Sequence, residues 1–141
     1  MTVLVIDASV AVKWFIRHDD STLAEKVLAS HSELHAPDFQ QAEFANAIWK
    51  YSRARLIGAE QAVAALTALP KTITFWHDTA LLAPPAFELA TKLDHPVYDC
   101  LYLALAIRLD GRVVTADRGF AGRVAASDYA SRAIVLRDWA E

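Results

Sequence analysis

The chain begins with a short apolar run that ends in an aspartate. Residues Val3–Ile6 are unbroken, apolar and mostly β-branched. Such a run is too short for a buried helix and is typical of a strand covered on both faces, as in a parallel sheet. Asp7 follows it directly. A carboxylate at the carboxyl end of a central parallel strand faces the crevice in which open α/β sheets bind ligands, so the sequence predicts a site there.

Further β-rich segments alternate with helical patterns along the chain. The other predicted strands are Leu34–Ala36, Ile73–Trp76, Arg112–Thr115 and Ala133–Leu136. The predicted helices cover Ala8–Arg17, the segment around Leu23–Leu28, a long segment from Pro37 to Leu56, Ala59–Leu69, Thr79–Leu93 and Val97–Ile107. This alternation predicts an α/β fold with a parallel sheet and right-handed crossovers.

Three prolines fall within or beside these helices. Pro70 is expected to end the helix before it, and Pro84 with Pro85 to kink or split theirs, because proline removes a backbone donor and clashes with the preceding turn.

The length and composition indicate one domain with a partner. The 141 residues suffice for a single core. A hydrophobic content of 55% is high for a small domain, so we expect an oligomer that covers apolar surface. The apolar run Cys100–Ile107 is far shorter than the ~20 residues that span a membrane, and no basic leader precedes Asp7, so we expect a cytoplasmic protein without a membrane segment.

The charge balance alone does not decide whether nucleic acid is a partner. A net charge of −3 argues against it, but acids gathered around cations would leave the rest of the chain near neutrality. The tryptophans suit a core or an interface better than a base-stacking platform, because none alternates with a basic cluster. They are Trp14, Trp49, Trp76 and Trp139.

Four acidic residues occupy positions near predicted strand ends. Asp7 and Asp117 each follow a strand, and Asp99 lies in the first turn of a helix, whose dipole favours the ionised form. Glu43 shares one helical face with Asn46 and Lys50. Carboxylates without histidine or cysteine at ligand spacing favour Mg²⁺ or Mn²⁺ over Zn²⁺, as one or two ions, and such sites serve phosphate chemistry.

Each of these residues also has an ordinary structural interpretation. Asp7 and Asp117 could cap helices or turns, and Ser9 could either bind a ligand or cap a helix. The basic residues near the acids could contact phosphate or simply be solvated. The candidates for phosphate contact are Arg118, the first choice, with Lys13 and Lys50.

Four segments together resemble a known family. They are VIDASVAVKWF from Val5, PDFQQAEFANAIWK from Pro37, PVYDCLYLALA from Pro96 and VVTADRGF from Val113. In order, spacing and total length they resemble the PIN-domain ribonucleases, specifically the VapC-type toxins of toxin–antitoxin pairs.

The resemblance implies both a fold and an activity. The fold is one PIN domain over residues 1–141, a three-layer α/β sandwich whose parallel sheet has the order 3-2-1-4-5. The activity is that of a metal-dependent endoribonuclease, and the implied partners are RNA, a VapB-type antitoxin lying across the active-site groove, and a second copy of the toxin. Asp7, Glu43, Asp99 and Asp117 would bind Mg²⁺ or Mn²⁺. Thr115 and Ser9 match the family's small polar residues beside the last and first acids.

Two other functions remain open. The same fold could hold RNA or an antitoxin without turnover. A phosphatase or phosphoacceptor of another α/β family is a poorer match, because its second aspartate would stand where this chain has Ser9. Neither alternative accounts for Glu43. For the nuclease, attack by water on phosphorus predicts products with 5′-phosphate and 3′-hydroxyl ends.

Overall fold

The computed structural model describes residues 2–140 and contains a five-stranded sheet. Its strands are β1 (Val3–Ile6), β2 (Glu33–Pro37), β3 (Phe75–His77), β4 (Arg112–Thr115) and β5 (Ala133–Val135). They lie in the order β3-β2-β1-β4-β5, and every neighbouring pair is parallel. The α/β class and the 3-2-1-4-5 order are therefore confirmed.

Seven α-helices cover the two faces of the sheet within the described residues. They are α1 (Ala8–Phe15), α2 (Ser21–Ala29), α3 (Gln40–Arg53), α4 (Ala59–Thr72), α5 (Thr79–Leu93), α6 (Val97–Leu109) and α7 (Arg118–Ala125). Short 3₁₀ turns follow at Ala130–Arg132 and Leu136–Asp138. A hydrophobic core lies on each face of the sheet, and successive residues of β1 point into different ones. Leu4 and Ile6 pack with α1 to α4, and Val5 packs with α5 to α7. This is the predicted three-layer sandwich, since side chains of a strand alternate between faces.

The prolines interrupt the helices less than their sequence positions predicted. Pro70 lies inside α4, which continues to Thr72, and Pro84 and Pro85 lie inside one continuous α5. The predicted helix end at Pro70 was wrong, and of the two alternatives at Pro84 and Pro85, a kink or a split, the split was wrong. All three prolines are exposed, so carbonyls that lose their backbone donor can reach water or another group. The carbonyl of Pro70 itself, in the last turn of α4, accepts from Trp76 Nε1.

Several predicted boundaries move by one to three residues. Helix α1 ends at Phe15, α3 begins at Gln40, and β3 runs Phe75–His77. Two of these differences have a visible cause. Ile16 leaves the helical conformation at φ −127°, and the Asp38 side chain accepts from Thr79, which fixes the turn before α3.

The two central strands bring their carboxyl ends together. Ile6 of β1 pairs with Val114 of β4, and the Asp7 amide donates to the Val114 carbonyl at 3.1 Å. The residues that follow both strands therefore lie side by side, at the switch point of the sheet where α/β folds bind ligands. Within residues 2–140, no helix is long and apolar enough to cross a membrane.

Candidate active site at the carboxyl ends of the strands

Asp7 lies at the bottom of the site and is held through one oxygen. Its side chain is buried, with 4% of the residue exposed. Oδ2 accepts hydrogen bonds from Thr115 Oγ1 at 2.6 Å and Ser9 Oγ at 2.9 Å. Ser9 Oγ in turn accepts from the Ala116 amide, and Thr115 Oγ1 from the Asp117 amide, both at 3.0 Å. The two predicted hydroxyl residues thus orient Asp7 and join the ends of β1 and β4.

Glu43 is fixed by a residue of α6. Its Oε1 accepts from the hydroxyl of Tyr102, which is fully buried. One turn earlier on α3, Gln40 is also fully buried and donates to the Ile6 carbonyl. Helix α3 is therefore tied to the end of β1, and this contact brings Glu43 over the strand ends.

Asp99 and Asp117 complete the group from the first turns of their helices. Asp99 Oδ2 lies 2.6 Å from His95 Nε2, and the His95 ring packs on Phe120 with centroids 5.3 Å apart. Asp117 is the N-cap of α7, and its Oδ1 accepts from the Phe120 amide at 3.1 Å. The capping role considered for Asp117 is therefore present, alongside its position in the group.

The four carboxylates influence one another electrostatically. Burial raises the pKa of Asp7 to about 6; the hydroxyl of Thr115 opposes this rise, and the charges of Asp99 and Asp117 add to it. Burial likewise raises the pKa of Glu43 to about 7, against the Tyr102 hydrogen bond and with the charges of Asp7 and Asp99. Raised pKa values of neighbouring acids mark a site that favours added positive charge.

The donor set fits a hard divalent cation in its chemistry, although the carboxylates are not gathered into a ready-made cage. All four groups offer oxygen ligands, as Mg²⁺ and Mn²⁺ prefer. Within residues 2–140, no three His, Cys, Asp or Glu side chains are close enough to hold an ion. Each acid uses one oxygen in the hydrogen bonds above. Its second oxygen is thus the one to turn towards a cation.

A groove made of two adjoining parts borders the acidic group. Its main part has a volume of about 520 Å³, and a second part of about 310 Å³ adjoins it through shared walls. The shared residues are Ser9, Val12, Ala47 and Tyr51. Glu43 lines the first part and Asp117 the second. The groove therefore borders the acidic group at Glu43 and at Asp117, whereas Asp7 and Asp99 line neither part.

The predicted polar and basic residues occupy different places around this groove. Asn46 and Lys50 line its main part with Glu43. Lys13 lines the second part but is paired with Asp20 at 2.8 Å. Arg118 lines a separate depression between α7 and β5. Of the three basic candidates, Lys50 is the best placed to meet a ligand in the groove, rather than the first choice, Arg118.

Sequence reasoning missed three residues that support the acids. The first is His95, whose spacing of four residues from Asp99 on the sequence is a signal for contact. Tyr102 lies in the most apolar helix and gave no polar signal. Gln40 gave none either, and its Oε1 has no hydrogen-bond partner within the described chain.

The tryptophans were predicted to lie in a core or an interface, and two of them differ in burial. Trp139 is buried, but Trp49 is 53% exposed and carries Arg53 over its ring at 5.3 Å. Trp49 is therefore a surface residue beside basic side chains and not part of the core.

Comparisons with known proteins identify the family. The PIN domain model matches residues 4–125. Ribonuclease VapC3 of Pyrobaculum aerophilum is 34% identical over 120 residues, which are 84% of this chain and 92% of the relative. The chain belongs to the PIN-domain family, in its VapC branch. The family prediction from the four sequence segments is thereby confirmed.

Solved structures agree on the fold of this VapC-type PIN domain. PAE2754 from P. aerophilum has a TM-score of 0.70 at 20% identity, covering 96% of this chain and 90% of its own. VapBC2 from Rickettsia felis, bound to a DNA fragment from its promoter, has a TM-score of 0.62 at 17% identity, covering 84% of this chain and 93% of its own.

Proposed function

We propose that the protein is a metal-dependent endoribonuclease that hydrolyses phosphodiester bonds of RNA. The observation that carries the proposal is the buried Asp7, whose pKa is raised to about 6 beside two further acids at the switch point of the sheet. A relative with 34% identity is named a ribonuclease. A group of carboxylates beside an open groove can bind a cation, and the bound cation can in turn bind a phosphate of the RNA.

Asp7, Glu43, Asp99 and Asp117 would hold one or two ions of Mg²⁺ or Mn²⁺. The bound cation would supply a water activated for attack and would neutralise charge that develops on the phosphate. Hydrolysis of the phosphodiester bond therefore needs no nucleophile from the protein, because water is the attacking group.

The chain's own residues position the reaction. Ser9 and Thr115 hold Asp7 through Oδ2, which leaves Oδ1 for the ligand. Tyr102 holds Glu43 through Oε1. That leaves Oε2 of Glu43 available to the cation. Asn46 and Lys50 line the path of the RNA.

The partners follow from the same family. We infer a VapB-type antitoxin, a partner that the VapBC2 complex of Rickettsia felis supports. From the family resemblance we further infer that the antitoxin covers the groove and that the toxin forms a homodimer. Exposed apolar residues such as Leu81 and Phe87, which are 60% and 65% exposed, are consistent with surface covered by a second chain.

The test is cleavage of an end-labelled total RNA pool by purified protein free of antitoxin. Discrete fragments that need Mg²⁺ or Mn²⁺, vanish with EDTA and vanish in Asp99→Asn are expected. Asp128→Asn, which removes an exposed acid outside the groove, serves as the matched control and should cleave normally.

The ends of the fragments test the mechanism separately. Fragments should carry 5′-phosphate and 3′-hydroxyl, because water attacks the phosphorus. A 2′,3′-cyclic phosphate would contradict this mechanism. No cleavage by a folded, metal-binding protein would favour the alternative of a silent RNA- or antitoxin-binding module.

A further inference from the structure

A basic and aromatic surface continues from the groove along α3. It consists of Trp49, Lys50, Arg53 and Arg55 and is called the α3 basic surface below. All four residues are exposed. Three positive charges lie within residues 50–55 with no acid among them, in a chain of net charge −3. Three of the 14 basic residues of the chain thus lie in one short segment that begins at the groove wall, at Lys50.

The α3 basic surface is in line with the acidic group. Residues at spacings of three and four form one ridge of a helix, and Glu43, Asn46, Lys50 and Arg53 follow that spacing. Ten residues of helix separate Glu43 from Arg53, or about 15 Å. A strand whose phosphate lies over the acids would therefore meet these basic side chains as it leaves the groove.

Two further observations describe the state of these side chains: the basic ones make no ion pair within residues 2–140, and one of them packs on the exposed indole. The ion pairs of the described residues engage Lys13, Arg17 and Arg132 and two histidines, but none of the basic residues of the α3 basic surface. Arg53 lies over the Trp49 ring at 5.3 Å. An arginine held against an exposed indole presents a flat, cationic platform.

We propose that the α3 basic surface binds single-stranded RNA next to the scissile phosphate, with Lys50, Arg53 and Arg55 on phosphates and a base stacked on Trp49. The proposal rests on the proposed nuclease function and specifies where its substrate lies. Single-stranded nucleic acid is favoured over a protein partner because the surface combines unpaired positive charge with an exposed aromatic face, the two elements of single-strand binding.

The charge part of the proposal is tested by RNA binding in the full-length Asp99→Asn protein, which does not cleave. The probe is a fluorescently labelled single-stranded RNA of mixed sequence, followed by anisotropy across a salt series. Arg53→Gln with Arg55→Gln should weaken binding about tenfold and reduce the slope of log K against log salt by about 1.4, since each phosphate contact to a single strand contributes about 0.7.

The matched control removes two exposed charges elsewhere. Lys26→Gln with Lys71→Gln changes the net charge equally, and neither residue lines the groove. Its affinity and salt slope should stay close to those of the parent protein. Equal losses in the two double variants would overturn the proposal, because binding would then follow net charge alone.

The stacking part is tested at Trp49. Trp49→Leu keeps an apolar side chain but loses the aromatic face, and should weaken RNA binding about tenfold. Trp49→Phe should retain most of the affinity. If the two variants bind RNA as the parent does and instead dissociate a dimer in light scattering, the surface is an interface between copies and the proposal is wrong.

Failure here can be separated from failure of the nuclease function. A wild-type protein that cleaves RNA, with unchanged cleavage in both surface variants, would overturn only the RNA surface. Binding that depends on the surface, without metal-dependent cleavage by the wild type, would overturn only the nuclease. A wild type that neither binds nor cleaves would overturn both.

Discussion

Tyr102 of α6 donates its phenolic hydrogen bond to Glu43 of α3, and so joins helices from opposite faces of the sheet at the acidic group. Burial holds the pKa of the Tyr102 phenol well above its usual range, and the charges of Asp7 and Glu43 add to this. The phenol therefore stays a donor throughout the working pH range. It opposes the rise of the Glu43 pKa.

Tyr102→Phe should raise the pKa of Glu43 above about 7, because a carboxylate loses the hydrogen bond that favours its charged form. We expect the pH at which the cleavage rate reaches half of its maximum to move to a higher value. The affinity for Mn²⁺ at pH 7 should fall about tenfold, a loss typical of removing a residue that hydrogen-bonds a metal ligand. The measurements are a pH–rate profile and a Mn²⁺ titration.

Tyr129→Phe is the control for this change. Tyr129 is distant from the groove lining, and its hydroxyl contacts Lys92. It should leave the pH profile unchanged. A Tyr102→Phe protein with wild-type pH dependence but lower thermal stability would show that the hydroxyl only supports the fold.

Asp7→Asn should stabilise the metal-free protein at pH 8 while abolishing cleavage. The folded protein holds the Asp7 proton with a pKa of about 6, against an ordinary value of 3.8. Folded molecules therefore bind more protons than unfolded ones, and the free energy of unfolding falls as pH rises through this range. Removing the charge should raise that free energy by about 1–3 kcal/mol at pH 8.

Denaturant melts at pH 8 and pH 4 check this expectation. The stabilisation should be small at pH 4, since Asp7 is then protonated in the folded protein. In the wild type, Mn²⁺ should restore stability at pH 8 and do little at pH 5, where Asp7 and Glu43 hold their protons. Equal stabilisation by the substitution at both pH values would contradict an electrostatic origin.

The sequence predicted the backbone arrangement better than the contacts within the site. Strand periodicity located the strands, because it is a local pattern. The order of the strands and the choice of the four acids as site candidates came with the family resemblance, which rests on four short motifs. The hydrogen bonds of Tyr102 to Glu43 and of Gln40 to Ile6 could not be predicted. They form where α3 and α6 meet the end of β1, and these elements are far apart in the sequence. The α5 prolines were misjudged because their effect depends on solvent exposure, which is a tertiary property.

Lys50→Gln should raise KM for RNA about fivefold with little change in kcat, because Lys50 lines the groove without touching the acids. Arg118→Gln, its matched control, removes the same charge from the separate depression beside β5 and should leave KM near that of the wild type. Steady-state cleavage of a mapped RNA substrate measures both. A larger effect at Arg118 would place the RNA along α7 instead.

Gly111→Ala should destabilise the protein by about 1–3 kcal/mol, as overpacking does. A methyl group at Gly111 would lie 2.7 Å from the Val3 carbonyl oxygen and 2.8 Å from a Val3 methyl, so the start of β1 must shift. Gly122→Ala offers the contrast, because its added methyl meets nothing within 4 Å and alanine favours the helix, which should raise stability by about 0.5–1 kcal/mol. Urea melts of both variants measure the difference. Because Asp7 directly follows β1, Gly111→Ala should also weaken Mn²⁺ binding, whereas Gly122→Ala should not. Equal stability of the two variants would mean that the first residue of β1 can move aside without a cost in stability.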